Sequence, residues 1–118
     1  MCFFSFTRAD RILKGPDFLR LSKTGKKVYN KHFLAIFSSA SVERTRLGVT
    51  VTKKVGHAAT RNRIKRFCRE YFRLHRHDLR GNWDINIIAK KEAADLPSEQ
   101  AFASLKNIFN RISNSFDR

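Results

Sequence analysis

Acid is scarce in this chain. Ten Asp and Glu stand against 25 Lys and Arg in 118 residues, which leaves a formal charge of +15 at pH 7 and a pI near 10.8. Solubility needs far less charge of one sign, so the imbalance points to a polyanionic partner, with nucleic acid ahead of a membrane surface or an acidic protein. Cysteine is also rare. Cys2 and Cys68 are the only two, and without a Cys-x-x-Cys spacing they exclude a zinc site built from cysteines and a disulfide framework. Two reduced thiols in a cytoplasmic protein are expected instead. No long hydrophobic run occurs. Residues Met1 to Phe6 are apolar, but Arg8, Asp10 and Arg11 follow at once, so neither a signal peptide nor a membrane span is expected.

Catalytic constellations are missing as well. There is no Gly-x-x-x-x-Gly-Lys-Ser/Thr phosphate loop, and Gly56 reads as a turn glycine. His57, His75 and His77 could in principle act as acid and base on a phosphodiester, but they fall in a loop, at the edge of an apolar stripe and near a helix end, where surface or packing roles are expected. Asp78 and Asp84 flank a turn without the further carboxylates that a two-metal nuclease needs.

What is present suffices for a core. Hydrophobic residues make up 42% of the chain and aromatics 12%, including 11 phenylalanines, so high charge does not mean disorder. The length fits one domain over residues 1–118, with no repeat or linker.

The pattern alternates between helix and strand. Phe3, Phe4 and Phe6 suggest an extended lead-in. Gly15-Pro16-Asp17 then opens a short helix, with proline and an acid in the first turn, and Gly25 closes it. Phe18 and Leu21 share a face there, beside Ser22. From Val28 through Phe33 to Phe37, aromatic and branched residues without helix caps predict strand. Arg46 to Thr52 alternates, with Leu47, Val49 and Val51 on one side, as a half-buried strand antiparallel to its predecessor. A loop over residues 53–59 leads into a helix that Thr60 is expected to cap and that should run to a glycine stop near Arg80-Gly81-Asn82. Trp83 to Ala89 is the next strand, parallel to the 46–52 strand. Leu96-Pro97-Ser98-Glu99 begins a final helix whose stripe is Phe102, Leu105, Phe109, Ile112 and Phe116, widened by Ala101 and Ile108. The fold class is an α/β (α+β) sandwich in the order α-β-β-β-α-β-α.

The central helix carries the charge. Between Lys53 and Arg76 the cations are Lys53, Lys54, Arg61, Arg63, Lys65, Arg66, Arg69, Arg73 and Arg76, against Glu70 alone. At about 100° per residue, Ile64, Phe67, Cys68, Tyr71 and His75 gather on one side. Most of the cations, with Asn62, gather on the other. Arg61 and Arg63 can fork onto phosphates or a guanine edge, and Asn62 can offer an amide to a base, on a first turn that already favours anions. Lys53, Lys54, Lys65, Arg66 and Arg69 supply charge around them. Arg73, Arg76 and Arg80 read equally well as solvated surface. Phe18 and Phe33 could stack on single-stranded bases, although core packing explains most sheet aromatics.

The run Arg46-x-Gly48-Val49-Thr50-Val51-x-Lys53-Lys54-Val55-Gly56-x-Ala58-x-x-Arg61-Asn62-Arg63-Ile64-Lys65-Arg66, followed by Arg69-Glu70-x-Phe72, resembles the signature of the protein subunit of bacterial ribonuclease P. The flanking order agrees, from Phe6 and Asp17-Phe18 to Ile87-Ile88-Ala89-Lys90-Lys91. The likeness covers essentially the whole chain. It implies the ribosomal protein S5 domain 2-like fold, with a left-handed β-α-β crossover through the basic helix, against the usual right-handed rule. It also implies a function that composition could not supply. The protein would bind a catalytic RNA and the 5′ leader of precursor tRNA, as a monomer in a 1:1 complex. The RNA and its Mg²⁺ would perform the cleavage that removes the leader.

By position, the resemblance assigns Lys53, Lys54, Arg61, Asn62, Arg63, Lys65, Arg66 and Arg69 to RNA binding. It assigns Phe18, Phe33 and Ile36 to a leader cleft. No catalytic residue, protein-held metal or small-molecule cofactor is expected. Ser22 and Ile36 stand where some members of the family carry aromatic rings, so base stacking would be weaker or would pass to Phe37. The alternatives are a stand-alone structural RNA-binding protein of ribosomal type, and a DNA reader that lacks an evident helix-turn-helix.

Overall fold

The computed structural model describes residues 15–40, 43–79 and 81–115. The expected aromatic lead-in, Cys2, Arg80 and Phe116 lie outside them. Within them the elements are α1 (Gly15–Thr24), β1 (Lys26–Tyr29), β2 (Phe33–Ser39), β3 (Arg46–Thr50), α2 (Ala58–His75), β4 (Trp83–Ala89) and α3 (Ser98–Asn114). Element order follows the sequence reading throughout. Short 3-10 turns follow α2 at Arg76–Asp78 and β4 at Lys91–Ala93.

The four strands form one sheet in the order β1-β2-β4-β3. Strand β4 is antiparallel to β2 and parallel to β3, so the parallel pairing expected across the basic helix is present. Strand β3 does run antiparallel to β2, but the two are not neighbours. Strand β4 enters between them, which buries its backbone and explains the nearly continuous apolar run Ile85 to Ala89.

Helices α2 and α3 cover one face of the sheet. Phe33, Ala35 and Phe37 of β2, Leu47 of β3 and Ile85, Ile87 and Ala89 of β4 pack there beneath Ile64, Cys68, Tyr71 and Phe72 of α2 and Leu105, Ile108, Phe109 and Ile112 of α3. Phe72 is fully buried and widens the stripe beyond the expected Ile64, Phe67, Cys68, Tyr71 and His75. Burial drives the Cys68 thiol up to about 12, against a small opposing effect of Arg69. Tyr71 is likewise pushed up to about 12, by burial first and then by the nearby charge of Asp78.

Helix α1 lies on the other face. Leu21, buried, and Phe18, half-buried, rest on Ile36 and Ile88. Gly25 makes this possible: a β-carbon there would sit 2.6 Å from Ile36 Cγ2 and 2.6 Å from the Leu21 carbonyl oxygen, so only glycine lets the chain turn so close to β2. Its amide donates to Leu21 O at 2.8 Å and ends the helix.

Two local expectations change. Helix α2 starts at Ala58 after an extended His57 that offers no side-chain cap, so Thr60 lies inside the first turn rather than at its head. The same helix ends at His75, and Gly81, with φ 80°, serves the later turn into β4.

Candidate nucleic-acid interface

The face under α1 is built from three rows that the strand register defines. Ser38, Asp84 and Arg46 form the first, Lys27, Ile36, Asn86 and Gly48 the second, and Tyr29, Leu34, Ile88 and Thr50 the third. Along the central strand β4 exposure rises from row to row. Asp84 is wholly buried, Ile36, Asn86 and Gly48 are buried, and every member of the third row reaches solvent.

Asp84 is the anchor of the closed end. Its carboxylate accepts from Arg20 Nη2 at 2.5 Å and from Arg46 Nε and Nη2, each at 2.8 Å, while Asp17 of α1 lies 3.6 Å from Arg46. Burial alone would raise the Asp84 pKa. The hydrogen bonds and charges of Arg46 and Arg20 outweigh it and hold the carboxyl below the usual carboxylate range. The reciprocal bond to Asp84 raises Arg46, against its own burial. Asp84 is therefore a structural bolt between α1 and the sheet, not half of a metal pair. Beside it, Thr50 Oγ1 donates to Asn86 Oδ1 at 3.1 Å.

The cations sit on α2 and the loop before it. Lys53, Lys54, Asn62 and Arg66 are exposed, and Arg61, Lys65 and Arg69 are half-exposed. Among the described residues no carboxylate pairs with Lys53, Lys54, Arg61, Lys65, Arg66 or Arg69. Asn62, Lys65, Arg66, Arg69, Glu70 and Arg73 line one open groove of about 340 Å³ along the helix. Glu70 is drawn into a bond from Arg73, which lowers its pKa, so the one acid of the face is already neutralised. Arg61 Nε is buried with no acceptor, and a buried donor left unpaired is unfavourable until a ligand supplies one. With no side-chain cap at His57, the first amides of α2 add to the positive end of the helix.

The two arginines of the Arg61-Asn62-Arg63 triplet are not equivalent. They are two residues apart, about 200° around the helix, and Arg63 Nη2 donates to Leu96 O at 2.5 Å while its guanidinium lies 4.6 Å from the Phe67 ring centre. Arg63 thus ties α2 to the segment before α3.

The leader-cleft residues also separate. Phe18 and Ile36 share the α1 face, with Ile36 only 7% exposed. Phe33 does not join them. It points to the opposite face, 1% exposed in the core under α2 and α3. Phe37 is equally buried there, edge-on to Trp83 at 5.4 Å, so it cannot take over stacking from Ser22 and Ile36. Strand β2 is apolar on both sides, and the sequence pattern alone does not mark which side faces α1. Leu34, Ile88, Thr50 and Tyr29 complete the open row instead; the polar letters Asp84 and Asn86 within β4 were the signal for that face.

A four-stranded sheet with two helices on one side, a third on the other, and a helix face of unpaired cations defines a small α+β domain suited to a polyanion. A family model described as Ribonuclease P matches residues 6–113. The ribonuclease P protein component of Desulfatibacillum aliphaticivorans is 54% identical over 110 residues, covering 93% of each chain, and that of Desulfosudis oleivorans is 48% identical, covering 98% of this chain and 96% of that one. Among solved structures, the RNase P protein of Staphylococcus aureus superposes with a TM-score of 0.82 at 36% identity, covering 87% of this chain and 94% of that one. The Thermotoga maritima RNase P protein gives 0.80 at 31%, covering 86% and 96%. The chain belongs to the ribonuclease P protein family, which gives it a role in processing tRNA 5′ ends.

Proposed function

We propose that this protein, a cytoplasmic monomer, holds the RNase P RNA through α2 and receives the single-stranded 5′ leader of precursor tRNA on the open row of the sheet. The observation that carries this reading is the set of six cations, Lys53, Lys54, Arg61, Lys65, Arg66 and Arg69, that no carboxylate pairs among the described residues. A folded protein gains nothing from such self-repulsion, whereas a phosphate backbone relieves it. Asn62, exposed on the same turn, has an amide free to meet a base edge, and Arg63 contributes its remaining donors while fixed to Leu96. Phe18 and Ile36 supply apolar support beside the row.

Bond cleavage is assigned to the RNA. Among the described residues no group of three or more His, Cys, Asp or Glu could hold a metal ion, and His75 stacks on Tyr71. Mg²⁺ would be held by the RNA subunit and substrate, and the protein would contribute positioning and charge neutralisation.

The test is reconstitution. Adding the protein to its cognate RNA should lower the Mg²⁺ and salt demand of leader removal, and the protein alone should cleave nothing. Replacing Arg61 and Lys65 by alanine should flatten the log-log salt dependence of RNA binding by about 0.7 to 0.9 for each phosphate no longer neutralised. Robust cleavage by the protein without RNA, or an unchanged slope, would overturn the assignment.

A further inference from the structure

The open row ends in an unexplained aromatic. Tyr29, on the edge strand β1, is 64% exposed, and the register carries it directly on from Leu34, Ile88 and Thr50. Beyond Thr50 the chain leads through Val51 and Thr52 to Lys53, Lys54 and the basic helix. The row therefore spans the sheet from the cationic loop to Tyr29, three strand spacings or about 14 Å.

We propose that Tyr29 is a stacking platform for a base of the 5′ leader, at the end of the row farthest from α2. This rests on the leader reading given above. The ring is presented from a fixed backbone. Tyr29 O accepts from Arg111 Nη1 of α3 at 2.8 Å. The neighbouring Asn30 closes the hairpin by accepting from His32 N and Phe33 N at 3.0 and 2.9 Å, and its amide donates to Ser104 O at 3.0 Å. Lys90 Nζ donates to Asn30 O at 2.7 Å and lies 4.9 Å from the Tyr29 ring centre. An ammonium is thus pinned over one face of the ring, so a base would stack on the other, and cation and aromatic stand together as they do in grooves that track single strands. Lys27 and Lys31 are exposed around it.

Lysines on β1 also guard an unpaired sheet edge against association. That role calls for no exposed tyrosine, and a large apolar ring weakens it. Among the described residues the other exposed large hydrophobics, Leu19 and Leu74, stand on helices and outside the row.

The test uses the reconstituted holoenzyme and two precursor tRNAs, one with a long leader and one with its leader cut back to a single nucleotide. Tyr29→Ala should weaken binding of the long-leader substrate about five- to tenfold and leave the short one unchanged. Tyr29→Phe should bind both as the parent does. Abasic substitutions along the leader should identify one position at which the parent loses affinity and Tyr29→Ala does not. If Tyr29→Ala matches the parent while the parent still prefers the long leader, the platform is wrong and the leader reading stands. Equal weakening of both substrates would place the contact on the RNA subunit or the tRNA body and overturn the proposal. No leader-length preference in the parent would remove the leader reading itself. A urea midpoint equal to the parent's confirms that the variant is folded.

Discussion

Replacing Asp84 by asparagine tests the bolt that holds α1 on the sheet. The substitution keeps the shape of the side chain but removes the charge that two arginines share. Asp84 is wholly buried, whereas the side chains of Arg46 and Arg20 are 19% and 39% exposed. Breaking a buried pair from one side costs about 3 to 5 kcal/mol. Because both arginines can partly recover hydration, the lower end applies, about 3 kcal/mol. In a domain of this size that lowers the melting temperature by roughly 10–20 °C. The pH dependence carries the sign. The folded carboxyl is held below its unfolded value near 4, so the advantage of the parent over Asp84→Asn should be full above about pH 4 and decline as pH falls through the lower folded value. Urea titrations of both proteins from neutrality down to about pH 2, through the range where the carboxyl takes up its proton, measure this difference directly. A difference below about 1 kcal/mol at neutral pH, or one that grows toward acid, would refute the assignment of Asp84 as the ionised centre of the bolt.

Three further outcomes follow from burial and packing. Phe33→Leu should cost about 1 kcal/mol in a urea melt and leave leader affinity unchanged in the holoenzyme; an affinity loss without a stability loss would return Phe33 to the binding face. Gly25→Ala should destabilise by about 1–3 kcal/mol, since the added carbon meets the Leu21 carbonyl oxygen, and equal midpoints would contradict that approach. In a Cys2→Ser background, the Cys68 thiol should react with an alkylating reagent at pH 8 only as fast as the protein opens, because burial holds it protonated; reaction at the rate of a free thiol would show that it is accessible.

Several features were legible because they are local. The three-and-four spacing of Ile64, Cys68 and Tyr71 fixes which side of α2 is greasy, and the same spacing from Leu105 to Ile112 does so for α3. Pro16, Asp17 and Gly25 bound α1 by their own backbone and charge preferences. Charge is read by counting, and the excess on residues 53–76 needs no fold to be seen. Strand β2 is different. Leu34 and Ile36 are as apolar as Phe33, Ala35 and Phe37, so its alternation carries no sign. Core packing is the better reading of Phe33 from its letters, and its place in the leader cleft came only from the resemblance.

The sequence by itself determined the elements, the single-signed helix and the kind of partner it suits, since those depend on neighbours within a few residues along the chain. Only the tertiary structure decided that β4 lies between β2 and β3, that Asp84 joins Arg20 and Arg46, and that Tyr29, Leu34, Ile88 and Thr50 form one row. Those relations depend on register between strands far apart in sequence, where a shift of one residue turns every side chain to the opposite face.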